Sequence, residues 1–321
     1  MAEASRRRRC ALIVALTCLL LAGRAANAGE KLSVGKAEAT TFAFALLDVG
    51  VAQGIFAAHG LDIASVDLAG SARAHQALVA GSIDVELGSG VEFLYIAKGS
   101  AAKGIAALAG PPMGMCITVR ADGDVKDSAD LKGKLIGVST AGSLTDWLAT
   151  ELSRRQGWGG DGVARVALGS QDTLIAALVA KNVDGIIGGT QTGYRLQAEG
   201  RGKVLTLFGR VVPDFITHMI LASDSFITSH PDTLRRFLAG WFETVRFVKT
   251  NKEETLRITS TMTHLPHDIA ATIYDEQIGM FSTDGRFEPK ALEITKEAVL
   301  ELSQLKELPP DNVLFTEALL P

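Results

Sequence analysis

Short apolar stretches alternate with helical patterns along this chain, and they do so in two successive sets. That double alternation limits the fold more than any other feature. In the first set, residues 32–35, 61–68, 84–87 and 104–108 read as strands. A helix is predicted over 42–59, and a shorter one buries Leu78 and Val79. In the second set, residues 135–139, 163–168, 183–187 and 204–208 read as strands. Leu144, Trp147, Leu148 and Leu152 recur at helical spacing on one face, and Leu174, Ile175 and Leu178 line the next helix, predicted over 172–181. Residues 115–120 and 217–222 read as extended connectors between the sets. From residue 229 onward the chain reads as helix. Pro231 suits a first turn, and Leu234, Phe237, Leu238, Trp241, Phe242 and Val245 make an apolar stripe. Further helices are predicted over 253–262, 266–281 and 289–305. The expectation is an α/β chain of two similar lobes, crossed twice by the backbone, with a helical C-terminal segment.

The length of 321 residues is enough for one large α/β domain or two lobes, and 47% hydrophobic with 21% charged residues is an ordinary globular balance. Arg6 to Arg9, an apolar run over 10–22 and the small-residue site Ala26-Asn27-Ala28 have the order of a cleavable signal peptide over residues 1–28. The apolar run is too short to span a bilayer comfortably. Thr17 before Cys18 fits a lipoprotein site poorly, and the arginine run lacks the apolar context of a twin-arginine signal. Residues 1–28 carry five Arg and one Glu, so their removal takes the net charge from −4 to −8. Such a chain is a poor nucleic-acid partner. Cys116 then remains alone, which rules out an internal disulfide and a cysteine metal cluster; it reads as a core residue.

Residues 130–143 join a polar turn, a short apolar strand and a small-residue loop to the start of a helix. Loops of this kind receive small polar or anionic ligands, because glycine permits close approach and the helix start offers free N–H groups and the positive end of its dipole. Candidate contacts therefore sit at strand ends: Thr40, Thr41 and Phe42; Gly70, Ser71 and Ala72; Gly88, Ser89 and Gly90; residues 140–145, including Ala141, Ser143 and Thr145; and Thr190 with Gln191. The same hydroxyls also suit helix caps. Arg73 and His75 are expected at the solvent-exposed side of a helix start. Asp214 and His218 are expected to supply polarity near the second connector.

Four passages in order carry a family resemblance. They are Gly54-Ile55-Phe56-Ala57-Ala58-His59-Gly60-Leu61-Asp62-Ile63, Ala77-Leu78-Val79-Ala80-Gly81-Ser82-Ile83-Asp84-Val85, Asp130-Leu131-Lys132-Gly133-Lys134-Leu135-Ile136-Gly137-Val138, and Ala176-Ala177-Leu178-Val179-Ala180-Lys181-Asn182-Val183-Asp184-Gly185. With them the chain resembles the solute-binding proteins of ABC importers, in the group that takes alkanesulfonates, taurine, nitrate or thiamine-pyrimidine precursors. Lys181-Asn182 departs from the pattern where glycine is usual. The resemblance implies a type II periplasmic binding protein fold, with two mixed or parallel sheets, a two-strand hinge and a ligand cleft between the lobes. Lobe 1 is expected over 32–116 plus 217–321 and lobe 2 over 117–216. It also implies a monomer without cofactor that captures a small anionic organic solute in the periplasm and delivers it to permease subunits coupled to a cytoplasmic ATPase. Ser143 and its neighbours are the strongest candidates for ligand contact.

Three motif-like signals carry no chemistry. Gly157-Trp158-Gly159-Gly160-Asp161-Gly162 spells G-x-G-x-x-G but follows a helix and precedes a strand, the reverse of dinucleotide-binding context. His264 and His267 flank Pro266, which interrupts the face a metal would need. The acidic residues are scattered, so no carboxylate pair can be named from spacing. The rival expectation is an enzyme on the same fold acting on a pyrimidine or a carboxylate. The exported N-terminus weighs against it, as does the lack of the cysteine-rich motif of the yeast-type pyrimidine synthase.

Overall fold

The computed structural model describes residues 29–38, 41–68, 70–263 and 265–321. The expected signal peptide, Thr40 and His264 lie outside the described residues. The strands are β1 (Glu30–Lys36), β2 (Leu61–Asp67), β3 (Val85–Ser89), β4 (Ala102–Ala109), β5 (Met115–Arg120), β6 (Leu135–Val138), β7 (Ala164–Ala167), β8 (Gly185–Gly189), β9 (Gly202–Leu207) and β10 (His218–Ser223). They form two five-stranded sheets, ordered β2-β1-β3-β10-β4 and β7-β6-β8-β5-β9. In each sheet the first three strands run parallel, and the fourth is antiparallel to both of its neighbours.

The two segments expected as connectors are therefore interior strands. β5 is inserted between β8 and β9, and β10 between β3 and β4. The reason is hydrogen bonding. All of β10 and the middle of β5 are buried, and a buried extended backbone must pair on both sides. The chain thus crosses between the sheets twice, after β4 and before β10, and each crossing strand is locked into the sheet it enters.

The helix expected over 42–59 is broken. It runs Phe42–Ala52, turns at Gly54 with φ 69°, and resumes as Ile55–Ala58. That left-handed φ is comfortable only for glycine. The bend turns Phe56 inward, where its ring stacks on Phe237 at 5.5 Å. The C-terminal stripe is buried as its periodicity requires: Leu234, Phe237, Leu238, Trp241, Phe242 and Val245 are each at most 1% exposed. Their helix, Pro231–Thr250, packs on Phe42–Ala52, Ile55–Ala58 and β2. Val79 does not share the burial of Leu78. The inward face of Ser71–Val79 is Ala74, His75 and Leu78, and Val79, one helical step round, is 45% exposed. Among the described residues no helix is long and apolar enough to cross a membrane.

Candidate functional site

In the second sheet, β6 ends at a loop whose hydroxyls face one another. Ser139 Oγ lies 3.0 Å from Ser143 Oγ and 2.9 Å from Thr145 Oγ1, and Ser143 Oγ lies 2.9 Å from Thr145 Oγ1. Ser143 is the N-cap of the helix Leu144–Arg155, accepting a bond from the Asp146 N–H at 3.4 Å. The loop reaches the cap through Gly142, whose φ of 73° again requires glycine and whose N–H donates to Asp146 Oδ2 at 2.9 Å. Asp146 also pairs with Arg165 at 2.9 Å, so the positive helix end already faces a carboxylate that is itself neutralised. Ser143 is half-buried, Thr145 is 8% exposed and Ala141 is open to solvent. The capping role and the candidate ligand role thus fall on the same hydroxyl.

In the first sheet, the end of β3 supplies Gly88, Ser89 and Gly90. The Gly90 N–H donates to the Thr217 carbonyl at 3.0 Å, tying this loop to the returning chain just before β10. A Cβ on Gly90 would lie 1.9 Å from the Ile216 carbonyl oxygen, so no side chain fits without moving the crossover backbone. Gly90→Ala is expected to destabilise the protein by about 2 kcal/mol, read as a lower urea midpoint at unchanged slope. Ser89 stands opposite His218 in the β3–β10 pairing. The His218 ring packs edge-on against Phe44 at 4.8 Å, and burial pushes its pKa down to about 4. Its Nδ1 is buried with no hydrogen-bond partner.

Behind this loop lie three buried polar side chains. Glu86 on β3, Glu92 at the end of the 3-10 turn Gly90–Glu92, and His75 on the helix Ser71–Val79 are at most 5% exposed. Glu92 Oε1 accepts the Ser89 N–H at 2.7 Å, and Ser71 lies beside the same carboxyl. Burial raises Glu86 to about 7, and burial together with Glu86 holds Glu92 well above the usual carboxylate range. His75, expected at the solvent-exposed side of its helix, is instead turned inward, because its position shares the helix face of Ala74 and Leu78. Asp214 is half-exposed and pairs with Lys290 at 2.5 Å.

The remaining candidates are held elsewhere. Thr41 Oγ1 donates to Glu38 Oε2 at 3.3 Å. Phe42 is 4% exposed, with its ring edge-on to Tyr274 and Phe281, so core packing takes up its surface. Thr190 is fully buried. Its Oγ1 accepts from Gln277 Nε2 at 2.8 Å and its N–H donates to the Gly114 carbonyl at 3.0 Å. One turn on, the Tyr194 hydroxyl donates to Glu276 Oε2 at 2.5 Å. Thr190 and Tyr194 thus join the helix Thr190–Ala198 of the second sheet to the helix His267–Gln277. Gln191, next to Thr190, is half-buried.

Three polar groups here lie outside the candidates that the sequence offers, and a fourth, His75, lies on an unexpected face. Gln171, which follows the cap residue Ser170 at the end of β7, has a buried Nε2 without a partner beside Gly188. Its sign in the sequence was the third strand-end loop of the second set. Glu86 stands between Val85 and Leu87 in the strand expected over 84–87. Glu92 stands at capping-box spacing from Ser89. His75 was named, but its inward face was not foreseen.

The whole architecture has counterparts among solved structures. The alkanesulfonate-binding protein SsuA from Xanthomonas axonopodis pv. citri, bound to MOPS, superposes with a TM-score of 0.74 at 15% identity, covering 89% of this chain and 98% of that one. The periplasmic aliphatic sulphonate binding protein SsuA from Escherichia coli gives 0.73 at 17% identity, covering 88% and 94%. The periplasmic nitrate-binding protein NrtA from Synechocystis PCC 6803 gives 0.62 at 17% identity, covering 75% and 69%. At these identities the likeness is one of fold, that of the periplasmic binding proteins. No curated protein matches the chain by sequence. The profile described as NMT1/THI5 like matches residues 41–255, from the loop after β1 into the helix Lys252–Thr263, and with most of its length inside that match this chain belongs to the NMT1/THI5-like family.

Proposed function

We propose that this protein is the periplasmic solute-binding component of an ABC importer, taking a small anionic organic solute between lobe 1 (residues 32–116 plus 217–321) and lobe 2 (residues 117–216). The observation that carries the reading is the Ser139–Ser143–Thr145 hydroxyl cluster at the head of a helix, on the strand-end side of one sheet in a two-sheet fold. Hydroxyls and helix N–H groups stabilise a sulfonate, nitrate or carboxylate by charge-assisted hydrogen bonds. An ion bound there exchanges hydroxyl–hydroxyl contacts for stronger ones, and closing the lobes over it removes water. The solved sulfonate- and nitrate-binding proteins of the same fold support this choice of ligand class. Cys116 supports binding rather than thiol chemistry, because burial pushes its pKa up to about 12. Delivery to permease subunits is part of the same reading.

The test is a thermal-shift screen of residues 29–321 against nitrate, taurine, alkyl and aromatic sulfonates, carboxylates and pyrimidines. A ligand at a hundred times its dissociation constant is expected to add about 2.7 kcal/mol. Ser143→Ala is expected to abolish that gain, with the ligand recovered chemically unchanged. No shift with any anion, or conversion of the ligand, would overturn the reading.

A further inference from the structure

We propose that His75, Glu86 and Glu92 form a binding site for one divalent first-row transition metal ion, on the flank of the first sheet. One ligand-capable atom from each of the three lies within 4.8 Å of the others. They arrive from three different elements: the helix Ser71–Val79, β3 and the 3-10 turn Gly90–Glu92. Their surroundings satisfy them only in part, with the two carboxyls against each other and Ser71 beside Glu92. His75 Nε2 is 2.7 Å from Ser100 Oγ, and Glu92 Oε1 accepts the Ser89 N–H at 2.7 Å. Inward, His75 Nδ1 faces Glu86 Oε2 at 3.2 Å, while Glu86 Oε1 and Glu92 Oε2 are buried with no hydrogen-bond partner. Bare carboxylate oxygens in a buried place are costly unless a cation or proton serves them.

A dication balances this donor set: two carboxylates and a neutral imidazole with a 2+ ion sum to zero charge. One nitrogen and two carboxylate oxygens suit zinc, manganese or iron rather than calcium or magnesium, which prefer all-oxygen shells. The Ser100 contact has the form of an outer-shell bond. With Nε2–H donating to the hydroxyl, the Nδ1 lone pair is directed at the carboxylates. A surface pocket of about 500 Å³, lined by His75, Tyr95, Lys98 and Ser100, lies on the Nε2 side of the imidazole. The Tyr95 ring covers the imidazole at 4.9 Å. An ion there would clasp the helix start bearing Ser71 to the loop bearing Ser89 and Gly90. The proposal stands whether or not the solute reading does.

Purified protein stripped with chelator is titrated with Zn²⁺ by calorimetry and metal analysis, and with Co²⁺ by visible absorption. The expected result is one equivalent bound in wild type, with the intense Co²⁺ bands of a low-coordinate nitrogen–oxygen site. Glu92→Gln and His75→Gln are each expected to weaken that equivalent at least a hundredfold. Should either fail to fold, Ser100→Ala, at the pocket rim, is expected to fold and to weaken binding 10- to 100-fold. Failure of folded wild type to bind an equivalent overturns the proposal and leaves the carboxyls sharing a proton. Binding that persists unchanged in the folded variants overturns it too, placing the ion on other histidines.

Discussion

Trp241→Ala is expected to cost about 4 kcal/mol, read from urea unfolding followed by circular dichroism. Trp241 is fully buried and lies in one cluster with Phe56, Phe237 and Phe242. Side chains pack directly onto the glycine backbones around it. A Cβ on Gly50 would lie 2.4 Å from Thr244 Oγ1, and one on Gly240 would lie 2.9 Å from the Phe56 ring. With Thr244 and Phe56 already seated on those glycines, neighbouring side chains have little freedom to collapse into the space the indole leaves, so the cavity persists and its cost adds to the lost transfer energy. Trp241→Phe is expected to recover most of the loss. The indole N–H is buried without a hydrogen-bond partner, and phenylalanine removes that orphan donor while filling most of the volume. A loss below about 1 kcal/mol for the alanine variant would show that the C-terminal helices are not anchored through this cluster.

His218→Gln is expected to flatten the acid limb of stability, with a gain over wild type that reaches about 3 kcal/mol by pH 4. His218 is held at about 4 in the folded state by burial, against an ordinary 6.5. Above pH 6.5 the ring is neutral in both states and contributes no slope. As pH falls from 6.5 to 4, the unfolded chain takes up a proton that the folded one refuses, so stability drops. Glu86 works in the opposite sense. Raised from 4.5 to about 7, it keeps a proton in the folded state that the unfolded chain has released, so stability is lost as pH rises across that interval. Glu92 shifts in the same sense as Glu86, and His75 in the same sense as His218, so the wild-type curve in chelator is a sum of opposing slopes, and the difference between wild type and variant isolates His218. Glutamine supports no charge and retains a donor for the Gly88 carbonyl that faces the ring. Identical acid limbs in the two proteins would show that the buried ring is not the group that titrates.

The places of β4 and β8 were legible because burial on both faces in a sheet interior writes a nearly uninterrupted apolar run. The C-terminal stripe was legible because a period of 3.6 is hard to produce by accident over about three turns. Less was legible at helix ends. Gly54 breaks the first helix through a backbone angle, and no periodicity announces an angle. In Ser71–Val79 the structure reverses the expected faces: His75 is inward and Val79 outward, because the buried face is that of Ala74 and Leu78.

The candidate residues were legible as strand-end loops, because small and hydroxyl residues follow each predicted strand. What each residue does within them was not. Ser143 and Thr145 came together with Ser139, which lies close in sequence, so local spacing sufficed. Thr190 is engaged by Gln277, 87 residues away, and Phe42 by Tyr274 and Phe281 at the other end of the chain.

By itself the sequence determined the two-set α/β order, the eight strands of the two sets with two extended connectors, and the burial of the long C-terminal helix, because those follow from local pattern and solvent preference. Only the tertiary structure decided that the crossing segments are interior strands, and that His75, Glu86 and Glu92 meet. Those outcomes depend on which distant backbone satisfies a hydrogen bond and on which helix face turns inward, and both are settled when the sheets assemble.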